Sequence, residues 1–111
     1  MSSEDLAFCV VFCTFPDLLI AKKVASALLN RQLVACVNLI PSVSSLYIWE
    51  EKIKEDTEVL AIIKTQQSLV KELEVEVKKL HPYEIPEFIS CPITYGSQAY
   101  LEWIGQVTQK K

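Results

Sequence analysis

Glycine is nearly missing from this chain of 111 residues: only Gly96 and Gly105 occur. A loop that cradles phosphate with backbone amides needs several glycines close together, so such nucleotide sites are excluded. Arginine is scarcer still, with Arg31 alone. Nucleic-acid surfaces draw on clustered Arg and Lys. Here the lysines stand singly or in the pairs Lys22–Lys23, Lys78–Lys79 and Lys110–Lys111, on a chain of net charge −3. No nucleic-acid partner is expected. Histidine is also single, and His81 has neither Ser nor Cys beside it. A catalytic triad could then arise only by tertiary accident, and the chain reads as a non-enzyme.

Long apolar runs are absent too. None reaches the ~18 residues that span a bilayer, so direct membrane insertion is not expected. The start, Met1 to Asp5, is polar and acidic, without the basic region of a secretory signal. The four cysteines, Cys9, Cys13, Cys36 and Cys91, are irregularly spaced with no C-x-x-C pair. In a chain that reads as cytoplasmic they are expected to be free thiols, with Cys9 and Cys91 in the core.

What the sequence has in plenty is apolar surface. Half of the residues are hydrophobic, and a chain of this length is one domain that buries roughly 65% of the surface its unfolded form exposes. The expected domain is 1–111, with a disordered start over 1–5 and a tail over 108–111. The surplus of apolar residues points to cover by a partner chain.

Leu6 to Phe15 is a dense β-branched and aromatic run, predicting a buried strand. Asp17 suits an N-cap, and Ile20, Val24, Ala27, Leu28 and Arg31 follow at helical spacing. Val34 to Trp49 is extended again. Pro41 cannot donate to a central ladder, so this strand lies at an edge or is kinked. Glu50-Glu51-Lys52 is a turn without the usual glycine or asparagine. The return strand through Val59 to Ile63 has no polar alternation, predicting burial on both faces.

Ser68 is expected to cap a second helix with Leu69, Leu73, Val77 and Leu80 on one face. Pro82 and Pro86 make residues 81–86 irregular. A last strand over 87–94 and a short helix over 97–107 close the chain. This β-α-β-β-α-β order predicts an α+β ferredoxin-like sandwich, a four-stranded antiparallel sheet with two helices on one face. The helices leave the second face and a long hairpin uncovered, which predicts self-association there. An acylphosphatase, which shares this architecture, would need an arginine cradle, and Arg31 stands at a helix end.

Six segments in order carry a resemblance: FCTFPD from Phe12, LVACVNLIP from Leu33, SLYIWEEKI from Ser45, IIKT from Ile62, HPYEIPE from His81 and YLEWI from Tyr100. Over residues 7–106 the chain resembles the CutA family of divalent-cation tolerance proteins. The resemblance implies a tight homotrimer built by strand pairing between subunits, and binding of copper or other divalent ions without a required cofactor. In animals it implies a part in anchoring or processing a membrane acetylcholinesterase. Many members have glycine where Glu51 stands, and often Asp or an Asn-rich start to the first helix where Leu18-Leu19 stand.

Cys13, Cys36 and His81 stand where the family's proposed copper ligands stand, and thiolate with imidazole suits Cu(I) or Zn(II). The predicted topology puts the two thiols near opposite ends of the sheet and His81 at the Cys13 end, so a shared site needs neighbouring subunits. A second expected site is a cleft between subunits formed by Tyr47, Trp49, Lys64, Tyr83, Glu84, Glu87 and Trp103. Its plainer alternative is a subunit contact held by Tyr83 and Glu84. Two function classes follow: a metal-binding trimer for cation homeostasis, or a trimeric scaffold that senses a small ligand, as PII-type trimers do, or holds a protein partner.

Overall fold

The computed structural model describes residues 7–109. The expected disordered start over 1–5 and the terminal Lys110–Lys111 lie outside the described residues. Chain order is β1 (Phe8–Phe15), α1 (Leu18–Asn30), β2 (Cys36–Trp49), β3 (Lys52–Gln66), α2 (Val70–Leu80), β4 (Ile89–Pro92) and α3 (Gln98–Val107). The strands form one sheet in the order β2-β3-β1-β4, and every neighbouring pair is antiparallel.

Alternation along β1 and β3 decides which side carries the core. Cys9, Val11, Cys13 and Phe15 of β1, with Val59, Ala61 and Ile63 of β3, pack against Ala21, Val24 and Leu28 of α1 and Leu73 and Val77 of α2. The opposite face presents Val10, Phe12, Leu60, Ile62 and Lys64, which are half-buried, so the expected double-sided burial is complete on one side only. Helix α3 lies over one end of this second face. A side chain at Gly105 would touch the Phe8 ring at 3.8 Å, and Gln66 Nε2 donates to Thr108 Oγ1 at 2.6 Å.

Asp17 caps α1 as expected, its Oδ1 accepting the Ile20 amide at 2.8 Å. Ser68 does not cap α2. A 3-10 turn over Gln67–Leu69 precedes that helix, and no side chain caps it. Leu80 is also not on the buried stripe, being 40% exposed at the helix end. The last strand is shorter than expected, because Pro86 and Pro92 bracket the stretch that can pair.

β2 is an edge strand and is also bent. Ile40 pairs with Leu60 and Val43 with Glu58, so one extra residue is held on β2 around Pro41 and Ser42, and Ser42 has φ 62°. The bulge inverts the side-chain alternation. Cys36, Asn38 and Ile40 share the face of Lys64, Ile62 and Leu60, whereas beyond the bulge the odd-numbered Tyr47 and Trp49 share the face of Glu58 and Asp56. The outer hairpin closes through Glu50 and Glu51, both with positive φ (51° and 67°), a turn usually given to Asn-Gly.

The expected tail begins tied down. Gln109 donates its amide to Gln32 O at 2.8 Å and its Nε2 to Arg31 O at 2.7 Å, and Thr108 is buried.

Candidate functional site

The expected site residues gather in two groups, one at each end of the sheet. The first group is built on His81. Its ring stacks on Phe15 with centroids 4.6 Å apart, and Nε2 lies 2.7 Å from Thr14 O. A carbonyl only accepts, so Nε2 carries the hydrogen. Nδ1 then accepts the Tyr83 amide at 3.1 Å. Both nitrogens are engaged, and the pattern is satisfied by the neutral Nε2–H tautomer.

Tyr83, placed by that bond, donates its hydroxyl to Glu58 Oε2 at 2.9 Å. Tyr47, across on the hairpin, donates to Asp56 Oδ2. Burial and the bonded Glu58 both push the Tyr83 phenol upward, with Asp56 and Tyr47 adding to it. The hydrogen bond to Asp56 does the same to Tyr47. Asp56 and Glu58 are the members of this group that sequence reasoning missed. Their alternation with Lys54 on β3, opposite the odd-numbered aromatics, was the available signal, but it becomes readable only once the bulge is known. Glu84 and Glu87 are exposed in the same connection, and Glu87, with Glu58, raises the Cys13 thiol. Trp49 is half-exposed near the hairpin tip.

The second group lies under α3. Cys36 pairs across from Lys64 on β3, and burial, with the nearby Cys36 thiol adding to it, raises the Tyr100 phenol. Trp103 packs beside Tyr100 with ring centroids 5.5 Å apart. Lys64 and Trp103 therefore do not join Tyr47 and Tyr83 within one chain.

The three expected copper ligands are separated. Cys13 pairs with Ala61 and faces the helices, whereas Cys36 pairs with Lys64 and faces the other way. They also differ by three residues along the strands, about 10 Å, and by two inter-strand spacings. Cys13 is fully buried, and burial pushes its thiol up to about 12. A metal must displace that proton, so a thiol raised in this way and closed off from solvent is a poor ligand. Among the described residues no three His, Cys, Asp or Glu side chains are grouped to hold an ion. Of the two cysteines expected in the core, Cys9 is buried and Cys91 is exposed, because β4 is an edge strand and Cys91 faces away from the helices.

The comparisons with known proteins agree with the strand order and the sequence segments. The CutA1 family model, described as "CutA1 divalent ion tolerance protein", matches residues 9–107. The mouse "Protein CutA" is 49% identical over 98 residues, covering 88% of this chain and 55% of that protein. The chain thus spans about half the length of the mammalian relative. The "Divalent-cation tolerance protein CutA" of Pyrococcus horikoshii is 43% identical over 101 residues, covering 91% of this chain and 98% of that one. The crystal structure of CutA1 from Oryza sativa superposes with a TM-score of 0.92 at 40% identity, covering 95% of this chain and 96% of that one. With the family pattern matched over nearly the whole chain and the same fold in a relative of this identity, the chain belongs to the CutA1 family of divalent ion tolerance proteins.

Proposed function

We propose that the protein acts as a non-enzymatic homotrimer in divalent-cation tolerance, with its working surface where subunits meet. The observation that carries this reading is the half-covered sheet face. Val10, Phe12, Leu60 and Ile62 are roofed only at one end by α3, and Ile40 and Ile89 flank them at 43% and 53% exposure. On the other face of the hairpin, beyond the reach of the helices, Leu46, Ile48 and Ile53 are each more than 60% exposed. Apolar surface left open on both faces in this way is covered by association. The number three is what the resemblance to the CutA family implies, and the β-α-β-β-α-β order with its antiparallel sheet supports reading the subunit as a ferredoxin-like sandwich.

Association along this face brings the Tyr47–Asp56 and Tyr83–Glu58 end of one copy towards another copy. That cleft, with Trp49, Lys64, Glu84, Glu87 and Trp103 along its length, is the second reading, a scaffold for a small ligand or protein partner. The paired tyrosine–carboxylate bonds favour it, since they hold four polar side chains in place beside the apolar patch of Leu60 and Ile62.

Copper does not fit the set of Cys13, Cys36 and His81 within one chain. Cys13 is sealed, and both His81 nitrogens are engaged. Cys36 is the one expected ligand whose sulfur lies on the association face, so we assign soft-metal binding to Cys36 thiols shared between copies. The protein is expected to work in the cytoplasm.

Sedimentation at micromolar concentration tests the assembly. One species near three chain masses is expected, and Ile62→Arg should shift it to monomer. A wild-type monomer would refute the reading. Copper(I) titration of the reduced protein tests the metal assignment: Cys36→Ser should abolish uptake and Cys13→Ala should leave it unchanged.

A further inference from the structure

The connection between α2 and β4 hangs on very few bonds. Pro82 and Pro86 bring no N–H to it. Among the described residues, Pro82 to Glu87 make no backbone–backbone hydrogen bond. Two bonds of Tyr83 tie the stretch down instead, its amide to His81 Nδ1 at 3.1 Å and its hydroxyl to Glu58 Oε2 at 2.9 Å. The far end is anchored separately, by Phe88 packed against the core and by Ile89 at the start of β4.

The two ring nitrogens of buried His81 answer a proton in opposite ways. Nε2 already donates to Thr14 O at 2.7 Å, and in the imidazolium that bond becomes charge-assisted. The Phe15 ring, stacked 4.6 Å away, presents a π face that favours a cation. Nδ1 differs. It holds the Tyr83 amide through a lone pair, and once protonated it is a donor facing a donor. Protonation therefore keeps the ring in place and expels the amide.

The charged and titratable surroundings divide by element. From β1 the ionisable neighbour is Cys13, held protonated by burial. From β3 it is Glu58, and from the connection itself they are Tyr83, Glu84 and Glu87. Glu58 and Glu87 both act on Cys13, one residue from the carbonyl that His81 holds. These carboxylates favour the imidazolium. Opposing them are Lys78 and Lys79 in the last turn of α2, Lys78 being paired with Glu74, and Lys23 of α1, which lies beside Pro82.

We propose that His81 is an acid-operated latch: its protonation releases the connection over residues 82–87. With the amide expelled, Tyr83 loses the bond that sets its hydroxyl against Glu58. The stretch is then left without a backbone anchor between the helix end and Phe88. Neutralisation restores the lone pair and recloses it. The latch lies within one chain. Only its effect on a cleft between copies, through Tyr83, Glu84 and Glu87, rests on the scaffold reading above.

The test takes the full, reduced, isotope-labelled chain from about pH 8 to about pH 5, the range in which histidine changes charge. The ring of His81 is followed by NMR together with amide shifts and exchange protection, corrected for the intrinsic pH dependence of exchange. The amides of Tyr83, Glu84, Ile85 and Glu87 are expected to move in one transition that coincides with the ring's. Protection of the Tyr83 amide should fall by about tenfold or more, while Val11 and Ile63 keep theirs. His81→Phe preserves the stack, and its Tyr83 amide should be unprotected at both ends of the range. Glu58→Gln should leave the transition in place, which separates the imidazole from the carboxylate. The proposal fails if the ring titrates while the Tyr83 amide stays protected, or if His81→Phe retains the transition. It also fails if the ring takes up no proton until the whole fold is lost. The readout concerns one chain, so it stands whether or not sedimentation finds three copies.

Discussion

His81 holds the carbonyl of Thr14 at 2.7 Å from the far end of the chain, 67 residues away in sequence. The same ring fixes the Tyr83 amide at 3.1 Å, so one imidazole joins the end of β1 to the connection that carries Tyr83 to Glu58. Replacing His81 by alanine removes the donor to Thr14 O, the acceptor for Tyr83 N–H and the stack on Phe15. Leaving such groups unsatisfied costs about 1–3 kcal/mol, and the lost stack adds about 1 kcal/mol. Urea unfolding should show a loss of about 2–4 kcal/mol. His81→Phe keeps the stack and should lose less.

Cys13 gives the protein an alkaline weakness. Its thiol is pushed from the ordinary 9.0 to about 12, chiefly by burial and then by Glu87 and Glu58. A pKa raised on folding means that the native state holds the proton that the unfolded chain releases. The stability is therefore complete below pH 9 and is lost as pH rises from 9 towards 12, by up to about 1.4 kcal/mol per pH unit. Tyr83 and Tyr47, also raised, act in the same direction. Unfolding free energies at pH 8, 9.5 and 11 should fall, and the fall should be shallower in Cys13→Ala.

The hairpin tip is strained for its residues. Glu50 and Glu51 both occupy the left-handed region, which costs roughly 1 kcal/mol each for a residue with a Cβ. Glu50→Asn with Glu51→Gly supplies the residues that such a two-residue turn favours. Thermal unfolding should shift upward, equivalent to a gain of about 1 kcal/mol or more. Glu51→Val should shift it downward.

The C-terminal strap is the fourth case. Gln66 Nε2 donates to both Thr108 Oγ1 and Gln109 O, and Gln109 donates to Gln32 O and Arg31 O. Ending the chain at Val107 removes all four bonds, each worth about 0.5–1.5 kcal/mol. A loss of about 2–4 kcal/mol is expected in urea unfolding. Native Trp103 emission should move to the red as α3 loosens.

Much of the fold was legible because the signals were local. Asp17 before Ile20 marked a helix start, the apolar run through Phe15 marked a buried strand, and Pro41 marked an edge strand with a bend. The misses share a cause, which is tertiary position. Ser68 has the chemistry of a cap, but Leu69 is drawn wholly into the core, and the chain enters α2 through a 3-10 turn instead. Cys91 has the composition of a core residue and sits on the exposed face of an edge strand. Tyr47 and Tyr83 were named from chemistry alone. Their partners Asp56 and Glu58 read as ordinary surface charges until the ladder of β2 and β3 gave them an address.

The single extra residue at Pro41–Ser42 works as a phase inverter. The inner half of β2 addresses Cys36, Asn38 and Ile40 to the open face with one parity, and the outer half addresses Tyr47 and Trp49 there with the other. Deleting one residue at the bulge would change no side chain beyond it. It would nevertheless trade Tyr47 and Trp49 for Leu46 and Ile48 across the whole outer hairpin, so the chemistry of that surface is set by a count of residues as much as by their identity.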